Sequence, residues 1–278
     1  ISVDKLIELR EHGVSASFIR DLKNAGYKDI SLDDAIALKD HGVNIEFIKE
    51  LNNAGFKNIT MAKVTEARDH GVGANFLHEL NGAGFTNITL DKAIELRDHG
   101  VNLAFVKELN SLGFSGVTAD KAEALSDHGI NSEFVNEIRK AGYTNLSMDD
   151  FIDLRDHGVN AAYINDLKTN GAAGLTIEKI IDYRNQGVTG DYLKSFHDAG
   201  YSKITVDEAL EARNHGVTAA YITGFKKFGF TGISLDKAME LRDHGVTPEF
   251  VEKMKAKTGS YFSLDEYIKL KDAGFNSK

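Results

Sequence analysis

The 29-residue stretch at 88–116, ITLDKAIELRDHGVNLAFVKELNSLGFSG, returns along the chain without insertion or loss. Copies begin at residues 1, 30, 59, 117, 146, 175, 204 and 233, and a partial copy begins at Phe262. A fixed period of this size excludes most ordinary folds, because one unit is too short to enclose a core and gains one only by stacking on copies of itself. The expectation is one elongated repeat domain over residues 1–278, nine full units and a partial tenth, with no internal boundary.

The signals within a unit are those of two short helices. Ser or Thr stands at the second place of every copy, from Ser2 to Ser263, with an acid two residues on in most, as in Asp4, Asp91 and Asp149. A hydroxyl there caps a helix N-terminus, and the acid complements the positive end of the helix. Glycine at the thirteenth place (Gly13, Gly42, Gly71 and onward) precedes Val, Ile or Phe, which is the Schellman stop. A second cap follows at once, as at Ser15, Asn44 or Thr247, and Pro248 fixes the register because proline is favoured at the first helical position. An aromatic at the eighteenth place, Phe18 through Phe250, shares a helical face with an apolar residue four places on and belongs to the core. The fold class is therefore all-α, an α-solenoid of helix-turn-helix repeats. Two irregularities stand out: the NGAAG at residues 170–174 replaces the usual aromatic ending, and the ninth copy moves its second glycine to Gly259.

Composition limits the partners. The formal charge of -9, with acids and bases interspersed, disfavours nucleic acid and anionic membranes, which require a basic footprint. Cysteine is absent, so disulfides and thiolate metal sites are excluded, and no apolar run reaches the roughly 18 residues of a membrane span. The start at Ile1 and the stop at Lys278, just after Asn276 should cap a further helix, suggest processed ends or an excerpt of a longer array. The apolar first unit (Leu6, Ile7, Leu9) and the last (Tyr267, Ile268, Leu270, Phe275) read as cut faces able to associate end to end.

Three rows of side chains could carry function. The tenth place holds Arg10, Lys39, Arg68, Arg97, Arg155, Arg184, Arg213, Arg242 and Lys271 within the apolar arc of the first helix. A base so placed needs a partner, and Asp21, Glu50, Glu79, Glu108, Glu137 and Asp166 on the second helix suggest an ion-pair ladder. The ladder would break at Ser195, Gly224 and Lys253, leaving guanidinium groups for an acidic partner. The alternative is that these bases snorkel or bond helix-terminal carbonyls. His12, His41, His70, His99, His128, His157, His215 and His244 form the second row. Their place in the last helical turn points to helix-end stabilisation, and metal binding is the alternative. The third row is acidic (Asp4, Glu8, Glu11; Asp91, Glu95, Asp98; Asp149, Asp153, Asp156), either a solvated face or a groove for a basic ligand. Eight equivalent histidines do not make the single specialised constellation that catalysis needs, and no phosphate loop, calcium loop or nucleophile elbow is present.

The stretch LRDHGVTPEF at residues 241–250, with AGY or AGF endings before a capped helix, resembles tandem repeats of bacterial proteins, some of which follow a membrane metallopeptidase of the β-lactam-sensor type. The resemblance covers nearly the whole chain but only its framework residues, and it implies an extracytoplasmic repeat module. A zinc-binding HExxH is absent, so peptidase activity does not carry over. The functional expectation is a non-enzymatic scaffold that binds a protein or peptide and uses no cofactor. Self-assembly end to end is the first alternative, and metal binding through the histidine row is the second.

Overall fold

In the computed structural model residues 1–275 are described, and every regular element among them is helical. Asn276 and Lys278 lie outside the described residues. The chain forms two compact bodies, Ile1–Val135 and the part from Asn136 onward. The first holds α1 (Val3–Glu11), α2 (Ala16–Asn24), α3 (Leu32–Asp40), α4 (Ile45–Asn53), α5 (Met61–Asp69), α6 (Ala74–Gly82), α7 (Leu90–Asp98), α8 (Leu103–Ser111) and α9 (Ala119–Asp127). The boundary falls within α10 (Ser132–Lys140). The second body holds α11 (Met148–Asp156), α12 (Ala161–Thr169), α13 (Ile177–Asn185), α14 (Gly190–Asp198), α15 (Val206–Asn214), α16 (Ala219–Thr223), α17 (Leu235–Asp243), α18 (Pro248–Thr258) and α19 (Leu264–Asp272).

The caps act as the sequence implies. Ser2 accepts from the Lys5 N–H and Ser15 from the Phe18 N–H. At the far end of α1 the Val14 N–H donates to the Leu9 carbonyl at 2.7 Å and the Gly13 N–H to Arg10 at 3.1 Å, with Gly13 at φ +70°. That double bond pattern is the Schellman motif, and it buries Val14 against Leu9. The fifth place divides the repeats. Where it is acidic, as in Asp34, Asp150, Glu208 and Glu266, the carboxylate closes a capping box on the cap residue. In most other repeats it is lysine.

Stacking is like on like. In the first body α3 packs on α5, α2 on α4, α4 on α6 and α6 on α8; in the second, α11 packs on α13, α12 on α14, α14 on α16 and α15 on α17. Each body is thus a layer of first helices beside a layer of second helices. Their shared core uses the same places in each repeat, as Val64, Ala67, Val72, Phe76 and Leu80 show in the third.

The aromatic row is mostly core. Phe18, Phe47, Phe76, Phe134, Tyr163 and Phe250 are buried, whereas Phe105, Tyr192 and Tyr221 are partly exposed. One second helix departs from the expected pattern. In the eighth repeat the helix stops at Thr223 and resumes as a single 3-10 turn, Lys226–Phe228. Gly224 sits at the break, where its weak helix propensity combines with close packing: a Cβ there would stand 2.8 Å from Pro248 of the next repeat. At residues 170–174 the array does not lose its register. Ala172 is buried in the aromatic's place and its N–H closes the same bond to Leu167 at 2.9 Å.

Candidate functional site

The tenth-place bases do not form the expected ladder with second-helix acids. Arg68 lies over the ring of Phe47 with its guanidinium carbon 5.3 Å from the centroid, Arg97 over Phe76 at 4.9 Å, and Arg184 over Tyr163 at 4.9 Å. Arg213 and Arg242 repeat this on Tyr192 and Tyr221, and Lys39 and Lys271 on Phe18 and Phe250. The cation stacks on the aromatic of the preceding repeat, a contact of about 0.5–1 kcal/mol at exposed sites. The same side chains reach the end of the preceding first helix. Arg213 Nε donates to the Gln186 carbonyl at 2.6 Å, and Ser126, which replaces the base in the fifth repeat, donates to His99 O at 2.6 Å. Bonding to a helix-terminal carbonyl was the alternative reading, and at Arg213 it holds. Arg213 and Arg242 are accordingly engaged, despite the missing acids at Ser195 and Gly224.

Two of the acids assigned to that ladder have another task. Glu108 accepts from the Ser132 N–H at 2.7 Å and Asp166 from the Gly190 N–H at 2.7 Å, each neutralising an orphan donor at the start of the next second helix.

All nine acids of the acidic row are exposed. Several are already held by the chain's own cations. Lys5 binds Glu8 of its own repeat and Asp33 of the next; Lys63 binds Glu66 and Asp91; Lys92 binds Glu95 and Asp120. Lys179 with Asp207 and Lys237 with Asp265 continue the pattern in the second body.

The histidines meet acids at the eleventh place of the repeats. Each sits at the C-cap of a first helix, and in the pairs that follow Nδ1 meets the side chain 28 residues later, an aspartate except at His157. His12 pairs with Asp40 at 2.6 Å, His41 with Asp69 at 2.9 Å, His70 with Asp98 at 2.7 Å and His99 with Asp127 at 2.5 Å. In the second body His157 reaches Asn185 at 2.8 Å, His215 Asp243 at 2.8 Å and His244 Asp272 at 2.7 Å. The hydrogen-bonded carboxylate raises the pKa of His12, His70, His99 and His244. These rings sit at helix ends, as expected, but their side chains tie neighbouring repeats together. His128 also has an interaction partner.

On the other side, recesses open where successive second helices begin. In the first body one of about 360 Å³ is lined by Phe47, Glu50, Arg68, Phe76, Glu79 and Arg97. In the second body the equivalent places Thr218, Tyr221, Gly224, Arg242 and Glu249, together with Lys227, line one of about 590 Å³. In the second body the eighteenth-place tyrosines tie this layer to the next repeat, as Tyr163, Tyr192 and Tyr221 donate to the carbonyls of Val188, Val217 and Val246. Burial pushes the Tyr163 and Tyr192 hydroxyls up to about 12, so both remain donors at neutral pH.

One residue escaped the sequence reading. Glu123 stands at the seventh place, where Ile7, Ile36, Ile94, Ile152 and Met239 are apolar, and its carboxylate meets both Lys92 and His99. The only charged residue in a column that is apolar but for Thr65 was the available signal.

No family model matches the chain, and no curated protein matches it.

Proposed function

We propose that the protein is a non-enzymatic repeat scaffold that binds extended protein or peptide segments along the second-helix side of each body. The observation that carries this is the recurrence of one recess at equivalent repeat places in both bodies, combining aromatic rings with cationic and anionic groups. A repeated pocket of mixed polarity suits a chain that presents a side chain at regular intervals. The acidic row is the weaker candidate surface, since Glu8, Asp91, Glu95 and Asp98 are occupied by Lys5, Lys63, Lys92 and His70. The test is to select binders from a displayed random-peptide library and measure them by fluorescence anisotropy against Asn75→Arg and Glu249→Arg, exposed residues that border the two recesses. Each selected peptide should lose at least about tenfold in affinity, roughly 1.4 kcal/mol, for one of the variants. Failure to select any peptide, or full retention by both variants, would sink the reading.

A second reading, association of copies end to end, is favoured by one exposed face. Ile7 is 51% exposed on α1, whereas Ile36 and Ile94 at the same place in later repeats are 7% and 5% exposed. Val3 and Leu6 extend that face, and a neighbouring helix pair would cover it. Such contact is heterologous and need not close. Light scattering of the 278-residue chain should show mass rising with concentration, and Leu6→Glu with Ile7→Glu should abolish the rise. A monodisperse monomer at high concentration would reject it.

A further inference from the structure

The seventh place of the fifth repeat joins three groups that occur together nowhere else among the described residues: His99, Glu123 and Asp127. Their arrangement has an inner and an outer part. Asp127 takes the Nδ1–H of His99 at 2.5 Å, which fixes the tautomer and leaves Nε2 as a lone-pair donor. Nε2 faces Glu123 Oε1 at 3.7 Å. Around a tetrahedral ion with bonds of about 2.0–2.1 Å, two ligand atoms lie about 3.3–3.4 Å apart, so a small rotation of either side chain completes the pair.

The charge around the pair also suits a cation. Glu95, Asp120 and Glu123 share the single ammonium of Lys92, at 3.2, 2.6 and 2.5 Å. Three carboxylates against one ammonium leave an excess of negative charge beside the imidazole. Lys92 holds Glu123 by Oε2, so Oε1 is the oxygen turned toward the ring. Glu123 is held in place too: its side chain is only 21% exposed, in a column that is apolar in every other repeat but the third, which has Thr65. His12, His41, His70, His215 and His244 share the orienting aspartate, but the seventh place of the following repeat offers them no carboxylate. His70, for example, has Asp98 at 2.7 Å, but the place corresponding to Glu123 in the next repeat is Ile94.

We propose that His99 Nε2 and Glu123 Oε1 bind one divalent transition cation of the zinc and cobalt class, with Asp127 as the positioning residue and water in the remaining positions. One nitrogen and one carboxylate oxygen with no thiolate is a borderline ligand set that favours such ions over calcium or magnesium. The site goes beyond the proposed peptide-binding role and does not depend on it.

Cobalt(II) is the probe, because its visible spectrum reports coordination number, and zinc calorimetry supplies the stoichiometry. The wild-type chain should take up one ion. Glu123→Ile, which installs the residue of neighbouring repeats and should leave the thermal midpoint no lower, should weaken binding at least tenfold. Asp127→Asn should weaken it less and Ile94→Glu should create a second site at His70, while His70→Ala leaves the original site unchanged. No uptake at tenfold molar excess, or several ions per chain with equal affinity in wild type and Glu123→Ile, would overturn the assignment.

Discussion

Replacing Gly190 with alanine should destabilise the second body, although glycine-to-alanine changes in helices usually do the opposite. Gly190 is the first residue of α14, and its N–H donates to Asp166 Oδ2 at 2.7 Å. A Cβ on Gly190 would fall inside the van der Waals surface of that carboxylate. The carboxylate has little room to yield, because Asn170 Nδ2 donates to its other oxygen at 3.3 Å. Alanine would gain at most about 1 kcal/mol of helix propensity, and less in a first turn. Losing a charge-assisted bond to an orphan N–H costs about 1.5–3 kcal/mol, so the net loss is about 1 kcal/mol. With the carboxylate removed the sign should revert, so Asp166→Ala with Gly190→Ala should be more stable than Asp166→Ala alone. Urea unfolding of the four chains gives the cycle, and hydrogen exchange at Tyr192 and Leu193 localises the effect. Stabilisation by Gly190→Ala alone, or additivity within about 0.3 kcal/mol, would refute the argument.

Three further outcomes follow from the same geometry. Phe76→Ala should cost about 3–5 kcal/mol, because it removes a buried ring together with the seat of Arg97. Phe105→Ala should cost distinctly less, since that ring is partly exposed and faces a repeat with Ser126 in the tenth place; equal losses in denaturant would contradict the stacking account. His12 and His244 have folded pKa values raised by Asp40 and Asp272, and Glu8 and Glu240 add to the effect. Their contribution to stability is therefore present below about pH 6.5 and lost as pH rises through the raised values. In an NMR titration Asp40→Asn should lower the His12 midpoint and leave that of His244 unchanged; an unmoved His12 midpoint would show that the bond is not formed in solution. Thr205→Ala should cost about 1 kcal/mol by removing the cap of α15. Glu208 has a lowered pKa through its bonds to Thr205, so this difference should shrink as pH falls through that value; a pH-independent difference would argue against the capping box.

The helix boundaries were legible because their signals are local: a hydroxyl such as Ser31 caps the helix that begins one residue later, and Gly13 ends the helix just before it. The contacts between repeats were harder to read. Arg97 in an apolar arc calls for a partner, but its sequence neighbourhood does not show that the Phe76 ring lies beneath it, 21 residues earlier. Two acids of the supposed ladder were closer to another demand, the bare N–H groups of the following helix, as at Glu108 and Ser132. The histidine pairing was visible in principle, because His12, His41, His70 and His99 each precede an aspartate by 28 residues. Gly224 and Pro248 show the remaining difficulty: what a position can hold is also set by a side chain that belongs to the next repeat.

The lysine pairs make the sequence of repeats an ordered text rather than a string of interchangeable words. Lys5 is answered by Asp33, but the second repeat carries Asp34 where a lysine would stand, and the third answers it with Ala62. Excising residues 59–87 would preserve the period and every cap, yet it would set Asp34 against Asp91. Excising residues 30–58 would leave Lys5 facing Ala62. Neither shortened chain would be equivalent to the other, although each would have lost one whole repeat. The charge pairing at each junction would thus depend on which repeat was lost, and the chain itself already sets Asp150 against Glu178 and Glu208 against Asp236.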